Sequence, residues 1–407
     1  MKYQFPHVTH IDAYLKAIAS AEEFIVKRDT QSGILIINYM FASPTTFPDP
    51  MSFSDPSEAL DAALRRECRG LEFDIETGEM VTRKFQKFFN VNEKPETHIS
   101  AINWSEPHLV LIKEDGSMLT PFLRKDGVRE WHTKMGATDV ALPVNKFAAS
   151  NDGQYNEFCD EMHAEGLTPI FEWCSRQQRI VVDYPVDSLI LTAIRSIKTG
   201  DYISYSDMQK LGKKYNIPVV RALKVNINNI QEFLDDTRDV IDMEGYVIRF
   251  NTGHQCKVKG EWYCQIHRTK DDLSRERNLW ALILEDKIDD LKPMMEEADR
   301  IAVEKFAIDL DSGIASTAHR LARIVTNARV EIGNDKKRFA LEYATLKDVA
   351  PFEKGLMFSI WDGKNPLEVV RDFVKKNTGS QTKVDAIRGL VGGISWDRYY
   401  KPIVMDN

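Results

Sequence analysis

HLVLIKEDGS (108–117) decides how this chain is read. HLVLI (108–112) is the short aliphatic and β-branched run of a buried strand, and Lys113-Glu114-Asp115-Gly116-Ser117 follows it at once. Asp115 stands two residues past Lys113, so an extended chain places both side chains on one face. A lysine in such a place becomes a nucleophile when its amine is neutral. Desolvation and neighbouring cations lower an ammonium pKa toward that state. Taken alone, K-E-D-G is weak evidence, and an ordinary charged turn between two strands is the better reading of an isolated match.

The texture on either side of this segment is that of short strands. GILIINYM (33–40) is a continuous buried run, and residues 71–75 alternate Leu71, Phe73 and Ile75 against Glu72 and Asp74. A turn at Thr77-Gly78 leads to a second strand near 80–85, and Asp126-Gly127 between 117–124 and 128–134 is a hairpin signal. Further strands are expected at 168–173, 179–183, 188–194, 244–250 and 255–267, with helices near 154–165 and 205–215. At the start, Thr9 and Asp12 followed by apolar residues from Ile11 to Phe24 predict an amphipathic helix over 10–27. After about 270 the pattern turns helical, and Asn365-Pro366-Leu367-Glu368 is a well-formed helix start. The fold class expected is an α+β domain with antiparallel sheets over 1–268, then an all-α C-terminal domain over 269–407.

The length of 407 residues gives a prior of two to three domains at roughly 150 residues each. Hydrophobic residues at 43% supply material for packed cores and exclude wholesale disorder. Sixty-two acids against 54 bases leave a charge of −8, which excludes a protein that coats polyanions through a general basic excess. A local basic cleft stays compatible with that balance. The five cysteines include no C-x-x-C spacing, so neither a disulfide framework nor a zinc site is indicated, and a reducing cytosol is expected. The opening MKYQFPHVTHID carries no signal-type apolar stretch, and the most apolar run, Leu189–Ile194, is far too short to span a bilayer. No membrane association is expected.

The K-E-D-G segment does not stand alone. Arg69-Gly70 in ECRG (67–70) and KFFN (87–90) precede it, and FEW (171–173) and RIVVDY (179–184) follow. EGYV (244–247) then opens an apolar strand, and KVKGEWY (257–263) places Lys257 and Lys259 on one strand face with Val258 opposite. This order resembles the covalent nucleotidyltransferases, namely DNA ligases, RNA ligases and mRNA capping enzymes. With NYMFAS (38–43), IHRTKDDL (266–273) and DDLK (289–292), the wording is similar to the T-even phage RNA ligase 1 family. The likeness is dense over the first domain and thin over the helical one. A Pro-, Ser- and Asp-rich stretch at 44–57 departs from the pattern and reads as a lengthened surface loop.

The resemblance implies a nucleotidyltransferase (ligase adenylylation) domain with Lys113 as the residue that carries AMP and Asp115 as a functional acid beside Gly116. It implies that Glu172 serves the nucleotide ribose or the metal, and that Glu244 serves the catalytic metal. Carboxylates inside apolar strands are costly without such partners, and a structural salt bridge is the less favoured alternative for each. Lys257 and Lys259 correspond to cations aimed at developing phosphoryl charge. Arg69 and Lys87 correspond to phosphate-binding bases, and Tyr39 to a nucleotide-contacting tyrosine. Arg179 lies in the matching RIVVDY segment. Tyr263 matches an important tyrosine, though sheet packing explains it as well. Asp289 corresponds to a metal-associated acid, while by its surroundings it reads as an exposed helix acid.

The implied activity is ATP-dependent joining of 5′-phosphate and 3′-hydroxyl RNA ends through lysyl-AMP and RNA-adenylate intermediates. ATP is the AMP donor and Mg²⁺, or Mn²⁺ in its place, the metal. RNA is the expected partner, a cleaved tRNA anticodon loop in an infected host cytoplasm in particular, with no obligate protein partner evident. A DNA ligase or capping enzyme is the alternative, but those commonly carry an OB-fold after the Lys-x-Lys segment, where this chain turns helical. A catalytically silent RNA-end-binding protein on the same fold is the non-enzymatic alternative, and the complete set of lysines and acids argues against it. Basic positions of the helical domain, Arg320, Arg323, Arg329 and Lys336-Lys337-Arg338, are candidate RNA phosphate contacts.

Overall fold

The computed structural model describes residues 5–396, apart from 152, 226, 228, 296, 347 and 348. The chain divides into two compact units, Met1–Cys264 and Gln265–Asn407. The division falls inside the helix Glu261–Ser274, which also contains residue 268.

The first unit is α+β and carries three sheets. The strands β1 (Phe24–Asp29), β2 (Ile34–Tyr39), β3 (Leu71–Asp74) and β4 (Met80–Thr82) form the first in that order, antiparallel throughout. The other strands are β5 (Phe89–Asn90), β6 (His108–Lys113), β7 (Ser117–Leu123), β8 (Arg129–His132), β9 (Leu167–Cys174), β10 (Ser188–Ser196), β11 (Ala222–Leu223), β12 (Gly245–Phe250) and β13 (Gln255–Lys259). They make the orders β10-β9-β7-β8 and β11-β6-β12-β13-β5. The pairings are antiparallel except for the short contact of β13 with β5. One core joins the latter two sheets, with Val110 and Leu111 of β6, Phe171 and Trp173 of β9 and Ile248 of β12 nearly free of solvent. A second core gathers under the first sheet around Tyr14, Ile37, Phe47 and Phe73.

Register explains the site. Gly245 pairs with both Lys113 and Lys259, because β12 lies between β6 and β13. On the neighbouring sheet Glu172 of β9 pairs with Met118 of β7, just beyond the K-E-D-G turn.

Several expectations are corrected. The helix expected over 10–27 stops at Ile18, and Phe24 begins β1. Its cap is His10, whose Nδ1 accepts from Asp12 N at 3.3 Å, not Thr9. Pairing with β2 and packing of Phe24 on Phe47 (5.6 Å between centroids) outweigh the local 3.6-residue spacing. The strand expected over 255–267 ends at Lys259, where Gly260 precedes the helix Glu261–Ser274. Residues 179–183 form no strand. The 44–57 stretch is largely an irregular surface segment, as expected, but it is anchored by buried Phe47 and its last two residues open a helix, Pro56–Glu67, capped by Asp55. Helices Ala141–Ala149 and Ile230–Arg238 had no sequence expectation.

The second unit is helical among its described residues. A 36-residue helix, Glu297–Ile332, buries Leu310, Ile314, Leu321 and Val325 against Met357, Val370, Val374 and Val391. Asn365 caps Pro366–Lys376 by accepting from Leu367 N at 2.9 Å, as the sequence indicates. Among the described residues no helix is long and apolar enough to cross a membrane.

Candidate active site

Lys113 closes β6 and projects its Nζ to Glu244 Oε2 at 2.7 Å. Lys259 Nζ reaches the other oxygen, Oε1, at 2.8 Å. Glu244, which directly precedes β12, is 4% exposed, so one buried carboxylate is held between two lysines from the strands flanking β12. Both oxygens of this carboxylate thus have a cationic partner, which offsets the cost of its burial.

Glu244 can lie there because Gly245 follows it. Gly245 has φ +138°, and a Cβ on it would stand 2.1 Å from Val258 O. Gly116 meets a similar limit, since its Cβ would be 2.2 Å from Trp173 O. The glycine of K-E-D-G thus lets the turn pass against the β9 backbone beside Glu172. A methyl group there displaces backbone rather than a flexible side chain. Gly116→Ala is expected to cost about 2–3 kcal/mol of stability, read as a lowered midpoint in chemical denaturation. An unchanged midpoint would show that the close approach imposes no cost.

Glu172 and Lys257 carry the clearest electrostatic signatures. Burial pushes the Glu172 carboxyl up to about 7, with Glu244 and Asp115 adding to the rise against Lys113 and Arg69. Burial likewise brings the Lys257 ammonium down to about 7, and the cations Lys87, Lys113 and Lys259 add to the fall. Lys257 lies over the Phe88 ring at 5.6 Å. The Glu172 carboxylate has no hydrogen-bonding partner among the described residues, which leaves its oxygens open, although its backbone is paired in the sheet. A desolvated, unpartnered carboxylate coupled to a second one suits a hard divalent cation with oxygen ligands. Among the described residues no group of three or more His, Cys, Asp or Glu side chains forms a ready-made metal cage.

A second cluster adjoins Tyr39. Lys87 Nζ lies 3.4 Å from its hydroxyl and 5.0 Å from its ring centroid. Lys134 Nζ lies over the same ring at 5.2 Å. Although burial pushes the phenol up, Lys87, Arg69 and Lys134 together hold it below its ordinary value. Arg69 Nη1 approaches Met118 Sδ at 3.0 Å and acts electrostatically on both Glu172 and Tyr39. The expected bases Arg69 and Lys87 are therefore brought together, and Lys134 joins them. Sequence reading missed Lys134 because no periodicity marks it; only its place after the β8 hairpin strand hints at it.

Asp115 departs from the role of a catalytic acid. It is 3% exposed; its Oδ2 accepts from Val181 N at 2.8 Å and Val182 N at 2.7 Å, and its Oδ1 from Tyr263 OH at 2.7 Å. Asp115 N in turn donates to Tyr184 OH at 2.9 Å, and that hydroxyl donates to Glu114 at 3.1 Å. Three donors on a buried carboxylate make it a positioning group that ties the turn to the 179–184 segment. This also explains why that segment forms no strand. Tyr263 lies on a helix instead of in a sheet, and Arg179 turns its Nε to Val181 O at 2.8 Å. In the second unit Asp289 is exposed and paired with Lys292 at 2.7 Å, the helix acid its surroundings suggested.

The first residue of ECRG also has a structural place. Glu67, 1% exposed, binds Arg195 Nη2 at 2.7 Å and Arg83 Nε at 3.2 Å, both buried, and braces the chain two residues before Arg69. All five cysteines are free thiols.

The chain is similar in sequence to several known proteins. Residues 67–263 match the family described as RNA ligase. A protein named "Putative RNA ligase" from Thermovibrio ammonificans is 26% identical over 336 residues, covering 79% of this chain and 82% of its own length. RNA ligase 1 of bacteriophage TS2126 is 24% identical, covering 68% of this chain and 67% of that protein. Among solved structures, an archaeal ATP-dependent RNA ligase is 15% identical with a TM-score of 0.44, over 64% of each chain. The likeness is to RNA ligases of several sources, a phage RNA ligase 1 among them, and does not single out the T-even branch expected from the sequence.

Proposed function

We propose, for a chain so similar to RNA ligases, that it is an ATP-dependent RNA ligase whose Lys113 carries AMP. The observation that supports this most is the pairing of Lys113 Nζ with Glu244 Oε2 at 2.7 Å, with Lys259 on the carboxylate's other oxygen. In the first step Lys113 Nζ attacks the α-phosphorus of ATP, a P–N bond forms, and the bond to the β-phosphate oxygen breaks to release pyrophosphate. Glu244 Oε2 is placed to receive the proton that Nζ gives up. Lys257 and Lys259 face the developing phosphoryl charge, while Arg69, Lys87 and Lys134 offer cations to the leaving phosphates. In the second step an RNA 5′-phosphate oxygen displaces Lys113 from phosphorus. In the third a 3′-hydroxyl displaces AMP and seals the strand.

Glu172 and Glu244 would hold a divalent cation, Mg²⁺ or Mn²⁺, which supplies charge neutralisation to the phosphates when bound. Asp115 and Tyr263 act by fixing the turn that carries Lys113. We assign the first unit to adenylylation and the helical unit to choice of RNA, a cleaved tRNA in particular. Cytoplasmic placement is supported by the free, mostly buried cysteines. Incubation with α-labelled ATP and Mg²⁺ tests the core of this reading: a covalent AMP adduct is expected, and its absence sinks the enzyme in favour of a silent RNA-end binder. Ligation of a nicked tRNA, a linear single strand and a nicked duplex then tests the substrate, with the nicked tRNA expected to be preferred.

The Lys257 site makes ATP binding pH-dependent. In the free protein its ammonium titrates near 7. A bound polyphosphate favours the charged form and raises that value, so binding above pH 7 takes up a proton, and affinity falls as pH rises further. Calorimetric titration with a non-hydrolysable ATP analogue at pH 8, in two buffers of different ionisation heat, should show this uptake. Lys257→Met should reduce the difference between buffers, leaving only what the Glu172 carboxyl contributes. Equal heats in both buffers for the unaltered protein would refute the linkage.

A further inference from the structure

Directly past Tyr39 the chain exposes two large apolar side chains in succession, Met40 (61%) and Phe41 (57%). Single exposed apolar residues are ordinary on a protein surface, but these two stand on a segment that is pinned in place. Met40 N donates to Glu23 O at 2.8 Å, and the hydroxyls of Ser43 and Thr46 both donate to Glu23 Oε1 at 2.8 Å. Phe47, 1% exposed, packs edge-on against Tyr39 with centroids 5.0 Å apart. The apolar pair is thus presented to solvent by anchors on both sides.

Cations stand at both ends of this short shelf. Lys87 and Lys134 lie over the Tyr39 ring, and Lys94 Nζ donates to Pro44 O at 2.7 Å. An aromatic face between positive charges is the combination that holds single-stranded nucleic acid. The bases stack on the ring through faces that all four share, while the phosphates meet the lysines. The Phe41 Cα lies within about 7 Å of the Tyr39 Cα, since consecutive Cα atoms are only ~3.8 Å apart. That is about the reach of one nucleotide from a phosphate beside Tyr39.

Resting on the ligase reading above, we infer that Met40 and Phe41 form the platform for the terminal nucleobase of the RNA strand that carries the 5′-phosphate. The shelf holds this base by stacking and without hydrogen-bond readout, so it accepts any base. Phe41 is a positioning residue. It orients the end whose phosphate must reach the nucleotide on Lys113, and touches no reacting atom.

The test uses the full chain and a 5′-phosphorylated single-stranded RNA with 2-aminopurine as its first base. Binding should quench the fluorophore; Phe41→Ala should lose most of the quenching and bind about tenfold more weakly, and Phe41→Tyr should restore both. RNA with an abasic first nucleotide should bind the unaltered protein about tenfold more weakly, and Phe41→Ala should weaken it no further. Quenching that persists in Phe41→Ala, or equal weakening of intact and abasic RNA, overturns the inference. A change in sedimentation of Phe41→Ala with quenching intact would assign the shelf to a second copy of the chain and overturn it too. Covalent labelling by ATP is measured separately on the unaltered protein. Its failure would remove the ligase reading, while the fluorescence still decides the platform.

Discussion

Lys113→Ala protein is expected to take up no label from α-labelled ATP at any Mg²⁺ concentration, yet to retain sealing of RNA already adenylylated at its 5′ end. The separation follows from geometry. Lys113 Nζ is the atom that would bond to phosphorus in the first step, whereas in the third step the adenylate is already on the RNA. Removing the lysine leaves Glu244 with Lys259 at 2.8 Å, so the buried carboxylate is not orphaned. The loss of stability should therefore stay well below the ~3–5 kcal/mol of a buried charge stripped of its partner. Lys113→Arg should not restore labelling, because a guanidinium stays protonated and cannot attack. Label retained by the alanine variant would move the nucleophile elsewhere in the chain.

Lys257→Met should slow adenylylation by about 10²–10³-fold, the effect of removing one pre-aligned donor to developing charge. Its melting temperature should hold or rise. The fold disfavours the ammonium at this position, as its fall to about 7 shows, and methionine keeps the length of the side chain without the buried charge. A catalytic cation that destabilises its own fold is the expected mark of a functional site. A structural lysine would give the reverse pattern, normal labelling with a lowered melting temperature, and that outcome would remove Lys257 from the site. Lys259→Met should slow labelling as well, but there the loss acts partly through Glu244, which Lys259 holds.

The two lysines illustrate how the site divides between what is local and what is not. Their alternation with Val258 is legible in the chain, since strand geometry sends every second side chain to one face. Their different electrostatics are not. Lys259 finds the Glu244 carboxylate, while Lys257 finds other lysines and the Phe88 ring. The same holds for the Asp115 carboxylate. Its spacing from Lys113 suggested a shared face, and only the packing of the 179–184 segment turns it inward to meet two backbone amides and Tyr263. The 44–57 stretch reads as a surface loop from its prolines and serines, and its anchor, Phe47 packed against Tyr39, is something composition does not reveal.

The strand texture of the first unit, the helical texture of the second, and the order of the motifs with the chemistry they imply are all legible along the chain. Each of these is encoded within a few residues, as a period of side-chain burial or as a residue type at a fixed spacing. Tertiary structure decided which charges meet. Glu244 lies 131 residues from Lys113 in the chain, and only the pairing of β12 between β6 and β13 brings its carboxylate within 2.7 Å of the lysine. It also decided that Lys134 joins Arg69 and Lys87 at Tyr39, and that Glu67 braces the chain from behind. The physical reason is that desolvation and charge proximity are properties of the assembled interior, and no local run of residues carries either.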